Sequence, residues 1–219
     1  MRQVTKVGRP RVRAMRQNDV PAAVALAARA FPGMPAWSER QLRRHLEVFP
    51  YGQLVAEDDG GRLLGTASAL VVRWDDYDEL APWRVITGDG YFSTHDAAGF
   101  TLYGADIGVD PAARRRGVGQ CLYDARKALA RRLGLRRIIA GERIPGYAEV
   151  ADRLTPADYV AEVVAGKRHD PVLSFQLANG FQVRRVIPGY LGSDKDSLGH
   201  ATLLVWRNPE LDAAAPKQA

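Results

Sequence analysis

Residues 107–122, which read Ile-Gly-Val-Asp-Pro-Ala-Ala-Arg-Arg-Arg-Gly-Val-Gly-Gln-Cys-Leu, constrain the fold more than any other part of the chain. A short apolar strand is predicted to end at Val109, and a turn with proline follows it. An amphipathic helix is predicted directly after the two glycines. The first N–H groups of a helix have no acceptor within it, and glycine lets the main chain approach a ligand closely. Three consecutive arginines beside such a helix start therefore predict a diphosphate site.

The spacing of the glycines excludes two common phosphate-binding motifs. A dinucleotide-binding fingerprint needs a third glycine where this chain has Leu122. The string G-x-x-x-x-G-K followed by Ser or Thr, which marks a P-loop, does not occur. What remains is Arg-x-x-Gly-x-Gly at residues 114–119, preceded by Val-x-Pro at 109–111. The alternative interpretation is an ordinary glycine-containing loop with solvated arginines.

This pattern resembles motif A of the GNAT superfamily, the acyl-CoA-dependent N-acyltransferases. Residues 102–107, 141–147 and 170–181 extend the likeness, and together they resemble the GNAT module often joined to a carbon–nitrogen hydrolase (nitrilase-like) domain. The resemblance covers about residues 10–207, and we expect the hydrolase domain to be absent from this chain of 219 residues. It implies an α/β GNAT fold, in which a mixed central sheet contains a splayed parallel strand pair and carries helices on both faces.

The pattern along the chain predicts one domain. Residues 1–10 are expected to form a basic tail, 11–207 a single GNAT acyltransferase domain and 208–219 a frayed C-terminal tail. Strand and helix signals alternate through the domain, as is typical of α/β proteins. Residues 73–100 are predicted to be a long insertion between strands, rich in aromatic side chains. Such an insertion is either a binding segment or a structural flap.

Charge and composition leave the partner open. The net charge is +6, and nine of the 31 Lys and Arg residues lie in 114–137. Such a cluster attracts nucleic acid or a polyanion such as CoA. We expect Arg126, Lys127, Arg131 and Arg132 to form a solvated helix face. A single cysteine excludes intrachain disulfides, and the absence of a long apolar run or a signal sequence predicts a cytoplasmic protein without a membrane partner.

The resemblance assigns the cofactor contacts. Main-chain contacts are implied on the strand, diphosphate contacts at the turn, and contacts to the CoA arm from a later helix. The implied residues are Ile107, Gly108, Val109, Arg114, Arg115, Arg116, Gly117, Val118, Gly119, Gln120, Asp170 and Ser174. Asp170 has a second interpretation, as a helix cap.

The general base for aminolysis of a thioester is less clearly indicated. Some GNAT enzymes carry a glutamate six residues before the motif valine, but this chain has Tyr103 there, and tyrosine is not a base at neutral pH. Strand alternation predicts that Asp106 points to the opposite face from Tyr103. Glu142, just after the next predicted strand, is the best-placed carboxylate, with a surface position as the alternative.

The general acid is also open. Many GNAT enzymes place a tyrosine four residues before a Gly-Phe pair, whereas Gly180-Phe181 puts Gln176 at that position. Tyr147 is a candidate substitute, and its alternative is an aromatic residue packed in a turn. No metal site is expected because the histidines lack the spacing of metal ligands. They are His45, His95, His169 and His200.

These observations predict an enzyme that moves an acetyl group from acetyl-CoA to a primary amine by direct attack in a ternary complex. The amine is a small molecule or a peptide, no nucleic acid partner is expected, and a homodimer is compatible with the sequence. The first alternative is a GNAT-like module that holds acyl-CoA without turnover, because the usual tyrosine is missing. A nucleic-acid-binding protein is the second and depends on charge alone.

Overall fold

A computed structural model describes residues 9–212 of the chain. Most of the expected tails at 1–10 and 208–219 therefore lies outside the described residues. The strands are β1 Arg11–Ala14, β2 Gln53–Glu57, β3 Leu63–Val72, β4 Thr101–Val109, β5 Arg137–Arg143, β6 Gln182–Ile187 and β7 Ala201–Arg207. The helices are α1 Val20–Ala30, α2 Glu39–Val48, α3 Trp83–Ile86, α4 Val118–Arg132, α5 Pro156–Val164, α6 Leu173–Ala178 and α7 Pro209–Asp212.

The seven strands form one mixed sheet in the order β1-β2-β3-β4-β5-β7-β6. β4 and β5 pair in parallel, and every other neighbouring pair is antiparallel. The crossover from β4 to β5 runs through α4, as a parallel pair requires. This arrangement confirms the α/β fold with a mixed central sheet that the sequence predicted.

Helices cover both faces of the sheet. On one face α1 and α2 pack against side chains such as Val55 and Tyr103. On the other face α4 and α5 pack against neighbours of opposite orientation, such as Leu102 and Ile138. Because successive strand residues point to opposite faces, each buried strand contributes to both layers and reads as a nearly continuous apolar run.

The parallel pair opens towards its carboxyl end. Its register runs from Thr101 opposite Arg137 to Gly104 opposite Ala140 and then stops, although both strands continue. A β-bulge in the pairing of β4 with β3 makes Ala105 the extra residue at this point. Since a bulge bends its strand, it accounts for the divergence of β4 from β5. The splayed strand pair is therefore confirmed.

Two segments at the edges of the predicted domain pattern have defined packing contacts. The insertion 73–100 is folded: it contains α3, and its Phe92 is completely buried against His45 of α2. At the other end of the domain, Asn208 is buried and its amide donates to the carbonyl oxygen of Leu135 at 3.0 Å. Asn208 is thus anchored to the domain, and the frayed tail expected for 208–219 stays a prediction. None of the helices described in residues 9–212 is long and apolar enough to cross a bilayer.

Candidate active site

The turn between β4 and α4 offers a run of free N–H groups. Gly117 is the N-cap residue of α4 and adopts the left-handed conformation with φ of 78°. Within residues 9–212, no acceptor takes a hydrogen bond from the main-chain N–H of any residue from Arg115 to Gln120. Anions bind where such N–H groups meet the positive end of a helix. The turn has the chemistry that the CoA diphosphate requires.

Space is available at this turn. A Cβ atom built on Gly117 would meet nothing within 4 Å, and the side chains of Arg114, Arg115 and Arg116 are exposed around it. Asp110 fixes the turn from beneath, because its carboxylate accepts from the N–H of Ala112 and from the Arg29 guanidinium, each at 2.9 Å. An anion can therefore approach a preformed cradle.

The strand leading to the turn presents two more donors. The N–H of Asp110 donates to Leu64 on β3, so the N–H groups of Ile107 and Val109 point away from β3, into the opening. Gly108 has a different position: a Cβ there would lie 3.1 Å from the Phe31 ring. The N–H groups of Ile107 and Val109 fit the predicted main-chain contacts. Gly108 instead lets the C-terminal end of α1 pack closely against β4.

Two other residues that were expected to contact CoA, Asp170 and Ser174, form hydrogen bonds within the protein instead. Asp170 is fully buried and accepts four hydrogen bonds. Its partners are the Tyr159 hydroxyl and the N–H groups of Gly146, Val172 and Leu173. Ser174 Oγ accepts from the N–H of Asp170 at 3.0 Å. Asp170 is placed as the helix cap that was its second interpretation, and a CoA-binding role for these two residues stays a prediction.

A cavity of about 240 Å³ opens where the parallel strands diverge. Residues 105–107 of β4 and 141–143 of β5 form its floor. Its walls come from α1 and the α1–α2 loop, from the insertion and from the segment before β7. The wall residues include Phe31, Trp37, Gln41, Trp83, Tyr190 and Leu191. The insertion 73–100 thus contributes Trp83 to a binding surface and also packs in the core.

Glu142 lies half-buried in this floor. Burial raises the pKa of its carboxyl group to about 7, although the charge of Arg126 acts in the opposite direction. The Tyr123 hydroxyl approaches Glu142 Oε1 at 3.4 Å. A carboxyl group that titrates near pH 7 is well suited to accept a proton from an amine. The structure therefore brings the candidate base to the cavity.

Asp106 lies across the opening from Glu142 and lines the same cavity. Its Oδ1 accepts from the N–H of Ser68 at 3.0 Å, while Oδ2 is buried without a donor among the described residues. Burial raises the pKa of Asp106, and the charge of Arg126 opposes this shift. The bulge at Ala105 interrupts the strand alternation from which opposite faces were predicted for Asp106 and Tyr103.

Arg126 is buried, although it was expected to lie on a solvated face of α4. It is 1% exposed, and its Nη2 donates to the carbonyl oxygens of Ser68, at 3.1 Å, and of Asp106. Those two residues face each other next to the bulge, where the ladder is broken. The sequence signal was its spacing of four from Leu122 and three to Leu129, both buried.

The two candidate tyrosines are engaged in packing. Tyr103 is fully buried, and its hydroxyl is hydrogen-bonded to that of Tyr190; burial raises the pKa of both phenols. Tyr147 donates to the carbonyl oxygen of Leu154 at 3.2 Å and does not line the cavity. The contacts of Tyr147 favour the packed aromatic of the sequence analysis, and catalytic roles for both residues stay predictions.

Gln176, at the position of the usual tyrosine, is also buried, at 1% exposure. Its Oε1 has no partner among the described residues. A carboxamide has no acidic proton at neutral pH, so it cannot protonate a leaving thiolate. In residues 9–212, no three histidine, cysteine or acidic side chains are grouped to hold an ion.

Solved structures share this architecture. The chain aligns with a GNAT-like decarboxylase, GphF in complex with isobutyryl-CoA, at 27% identity with a TM-score of 0.73, covering 90% of this chain and 99% of that one. The loading GNATL domain of CurA from Lyngbya majuscula aligns with a TM-score of 0.79 at 16% identity, covering 93% of this chain and 100% of that domain. At 16% identity, the match to the CurA domain shows a shared fold only.

Sequence relatives and the family match lead to the same group. The probable hydrolase YhcX of Bacillus subtilis (strain 168) is 43% identical over 197 residues, which span 90% of this chain but 38% of that protein. The uncharacterized N-acetyltransferase YkwB of the same organism is 38% identical over 178 residues, covering 81% of this chain and 78% of that one. Residues 20–146 match the Acetyltransferase (GNAT) family. The chain therefore belongs to the GNAT acetyltransferase family.

Proposed function

We propose that this chain transfers an acetyl group from acetyl-CoA to the nitrogen of a primary amine, by direct attack in a ternary complex. The observation that carries the proposal is the position of Glu142. A carboxyl group with a pKa of about 7 lies where the parallel strands open, between an acceptor-sized cavity and the strand that leads to the free N–H groups of the turn.

The chain's own groups provide for cofactor binding and for polarisation of the acyl carbonyl. The N–H groups of residues 115–120 and the exposed arginines beside them hold the diphosphate, which gives the positive charge of this region a function other than nucleic-acid binding. The N–H groups of Ile107 and Val109 face the opening, where they polarise an acyl carbonyl. An acyl-CoA thioester, when bound, supplies the acyl group and a thiolate leaving group.

Proton transfer is assigned to Glu142. The acceptor enters as an ammonium ion and loses one proton to the Glu142 carboxylate, which passes it to solvent. The neutral nitrogen then forms the C–N bond as the C–S bond breaks. The second proton of the nitrogen ends on the thiolate sulfur, so the products are an amide and a free thiol. Gln176 cannot donate that proton, and water in the cavity can.

Cofactor binding is the first test. Isothermal titration with acetyl-CoA should give a saturable heat, and a variant with Arg115→Ala and Arg116→Ala should bind more weakly, because two phosphate-facing charges are lost. The matched control is Arg84→Ala, which removes an exposed arginine in the insertion. Absence of heat at about 1 mM acetyl-CoA, the upper end of ordinary KM values, would refute the proposal.

Turnover separates the proposal from its alternatives. Release of free thiol with an amine panel supports the acetyltransferase. Cofactor binding without release on any amine supports the module that holds acyl-CoA without turnover, which the missing tyrosine motivates. The GNAT-like decarboxylase among the similar structures motivates a third arm, in which release of CO₂ from malonyl-CoA is measured. Decarboxylation without amine acylation would replace our proposal.

A further inference from the structure

The acceptor cavity combines aromatic walls with an acidic floor. Phe31, Trp37 and Trp83 stand on one side and Tyr190 on the other. Trp37 and Trp83 are in contact, with ring centroids 5.3 Å apart, and Trp83 is anchored by a 2.9 Å hydrogen bond from Nε1 to the carbonyl oxygen of Ala105. These walls are preformed and suit a compact apolar body, and cations are attracted to aromatic faces.

The floor has an excess of negative charge. Asp106 and Glu142 line it together with Arg143. Arg143 is already paired: its guanidinium contacts Asp194 Oδ2 at 2.7 Å and Asp196 Oδ2 at 3.1 Å. The other buried cation, Arg126, donates to main-chain oxygens. In and next to the floor there are thus four carboxyl groups and two guanidinium groups, so the cavity favours a cationic ligand over an anionic one.

One atom of the floor lacks a partner. Asp106 Oδ2 is buried, and no donor within residues 9–212 bonds to it. The Trp37 indole and the Ser68 hydroxyl lie close enough to lower the pKa of this carboxyl group, but neither reaches Oδ2 with ordinary hydrogen-bond geometry. Buried acceptors in native proteins almost always have partners, so this oxygen is open to a donor from water or from a ligand that enters the cavity. An ammonium group carries three such donors.

We propose that the acceptor is a monoamine with an apolar or aromatic body and no carboxylate, whose nitrogen is held between Asp106 and Glu142. This inference depends on the proposed acetyl transfer for its second substrate, but not for the binding itself. An α-amino acid is excluded because its carboxylate would lie within the same carboxyl-rich floor, with no unpaired cation among the described lining residues to receive it. Asp106 then acts as a substrate-binding residue and Glu142 as the base.

A matched ligand pair tests the inference on the unmodified protein. 2-Phenylethylamine and phenylalanine differ by one carboxylate. Because Trp37 and Trp83 line the cavity, tryptophan fluorescence reports binding without cofactor. We expect 2-phenylethylamine to bind, and its kcat/KM in the thiol-release assay to exceed that of phenylalanine by at least about 100-fold, since a like charge would be buried beside carboxylates. Equal binding of the two compounds would overturn the inference.

A variant pair tests the assigned contact. Asp106→Asn keeps an oxygen for the N–H of Ser68 but removes the charge, and should weaken 2-phenylethylamine binding at least about tenfold, the value of a hydrogen bond to a charged group. Acetyl-CoA affinity should be unchanged. Asp59→Asn, exposed in the turn between β2 and β3, is the control and should bind as the unmodified protein does.

The two proposals fail in different ways. If 2-phenylethylamine binds but no thiol is released from acetyl-CoA with any amine, acetyl transfer is refuted. The proposal that the cavity binds a monoamine without a carboxylate is then still supported. If phenylalanine or another amino acid is acetylated as well as its decarboxylated counterpart, the ligand class is refuted and acetyl transfer stands. Unchanged amine binding in Asp106→Asn would also refute the assigned contact.

Discussion

Arg126 of α4 donates from Nη2 to the carbonyl oxygen of Asp106, at the point where β4 leaves β5. The same nitrogen donates to the carbonyl oxygen of Ser68 across the bulge. A guanidinium group therefore completes hydrogen bonds where a strand ladder is interrupted, and its charge lies close enough to Asp106 and Glu142 to lower the pKa of each carboxyl group. The side chain of Arg126 therefore affects both the strand geometry at the cavity and the pKa values of the two carboxyl groups that line it.

Replacing Arg126 by methionine should destabilise the fold and change the acidity of the site. Two buried carbonyl oxygens lose their donor, at a cost of about 2–4 kcal/mol in the free energy of unfolding. The pKa of Glu142 should rise above its value of about 7, because a neighbouring positive charge is lost. Urea unfolding measures the first effect, and Arg132→Met, exposed at the end of α4, should change stability by less than about 0.5 kcal/mol.

The acidity of Glu142 gives a pH dependence with a definite sign. The base acts as a carboxylate, so kcat/KM should rise with pH until Glu142 is ionised, at about pH 7. Above that pH, ionisation of Glu142 should cause no further increase. Glu142→Gln should remove that limb and lower kcat by about 10²–10⁴-fold, the usual contribution of a general base. Any limb that arises from ionisation of the amine itself should remain. Glu149→Gln, exposed on the segment after β5, should keep the full profile.

Local signals explain what could be predicted from the sequence. The strand, turn and helix around Gly117 follow from apolar periodicity and from a glycine that adopts positive φ, both of which are readable within a few residues. The same holds for the capping box of α2, in which Ser38 and Gln41 bond reciprocally. The strand, turn and helix were predicted for this reason, whereas the GNAT fold was implied by the resemblance to motif A, and the diphosphate site at the turn stays a prediction.

Long-range packing explains what could not. Arg126 reads as a surface residue because its burial depends on a bulge in another element. Trp83 reaches the cavity through a hydrogen bond to Ala105, and nothing within the insertion indicates that partner. The position of Asp106 in the cavity wall was missed since the same bulge breaks the strand alternation. The acceptor cavity thus depends on contacts between segments distant in sequence.

The conformation of Gly117 predicts a specific loss of cofactor affinity. Gly117→Ala introduces a side chain at φ of 78°, where a Cβ would project into open space beside the free N–H groups. The strain should cost about 1–2 kcal/mol in stability. Acetyl-CoA affinity, measured by titration calorimetry, should fall at least about tenfold, worth 1.4 kcal/mol.

Gly134 provides a matched control for that variant. It follows the other end of α4, has φ of 63°, and a Cβ added there would likewise meet no atom within 4 Å. Gly134→Ala should therefore cost a similar amount of stability and leave the affinity for acetyl-CoA unchanged. An equal loss of affinity in both variants would show that Gly117→Ala acts through stability alone and would contradict the assigned diphosphate site.

His45 should make the cavity wall sensitive to acid. Its ring is fully buried, stacks on Phe92 at 3.6 Å and contacts Trp37, and its Nε2 lies 2.8 Å from the carbonyl oxygen of Gly90. Burial lowers the pKa of His45 from 6.5 to about 4. The unfolded chain therefore takes up a proton before the folded one does, so stability is fully present above pH 6.5 and falls towards pH 4.

The loss between pH 7.5 and 4.5 should amount to about 2–3 kcal/mol from this residue. Urea unfolding at the two pH values measures it, and the informative quantity is the difference between variants, because carboxyl groups also titrate. His45→Gln retains a donor for Gly90 and should show a smaller loss than the unmodified protein. His169→Gln, which alters an exposed histidine, should show the same loss. Equal losses in all three proteins would mean that His45 is not the group that makes this domain acid-sensitive.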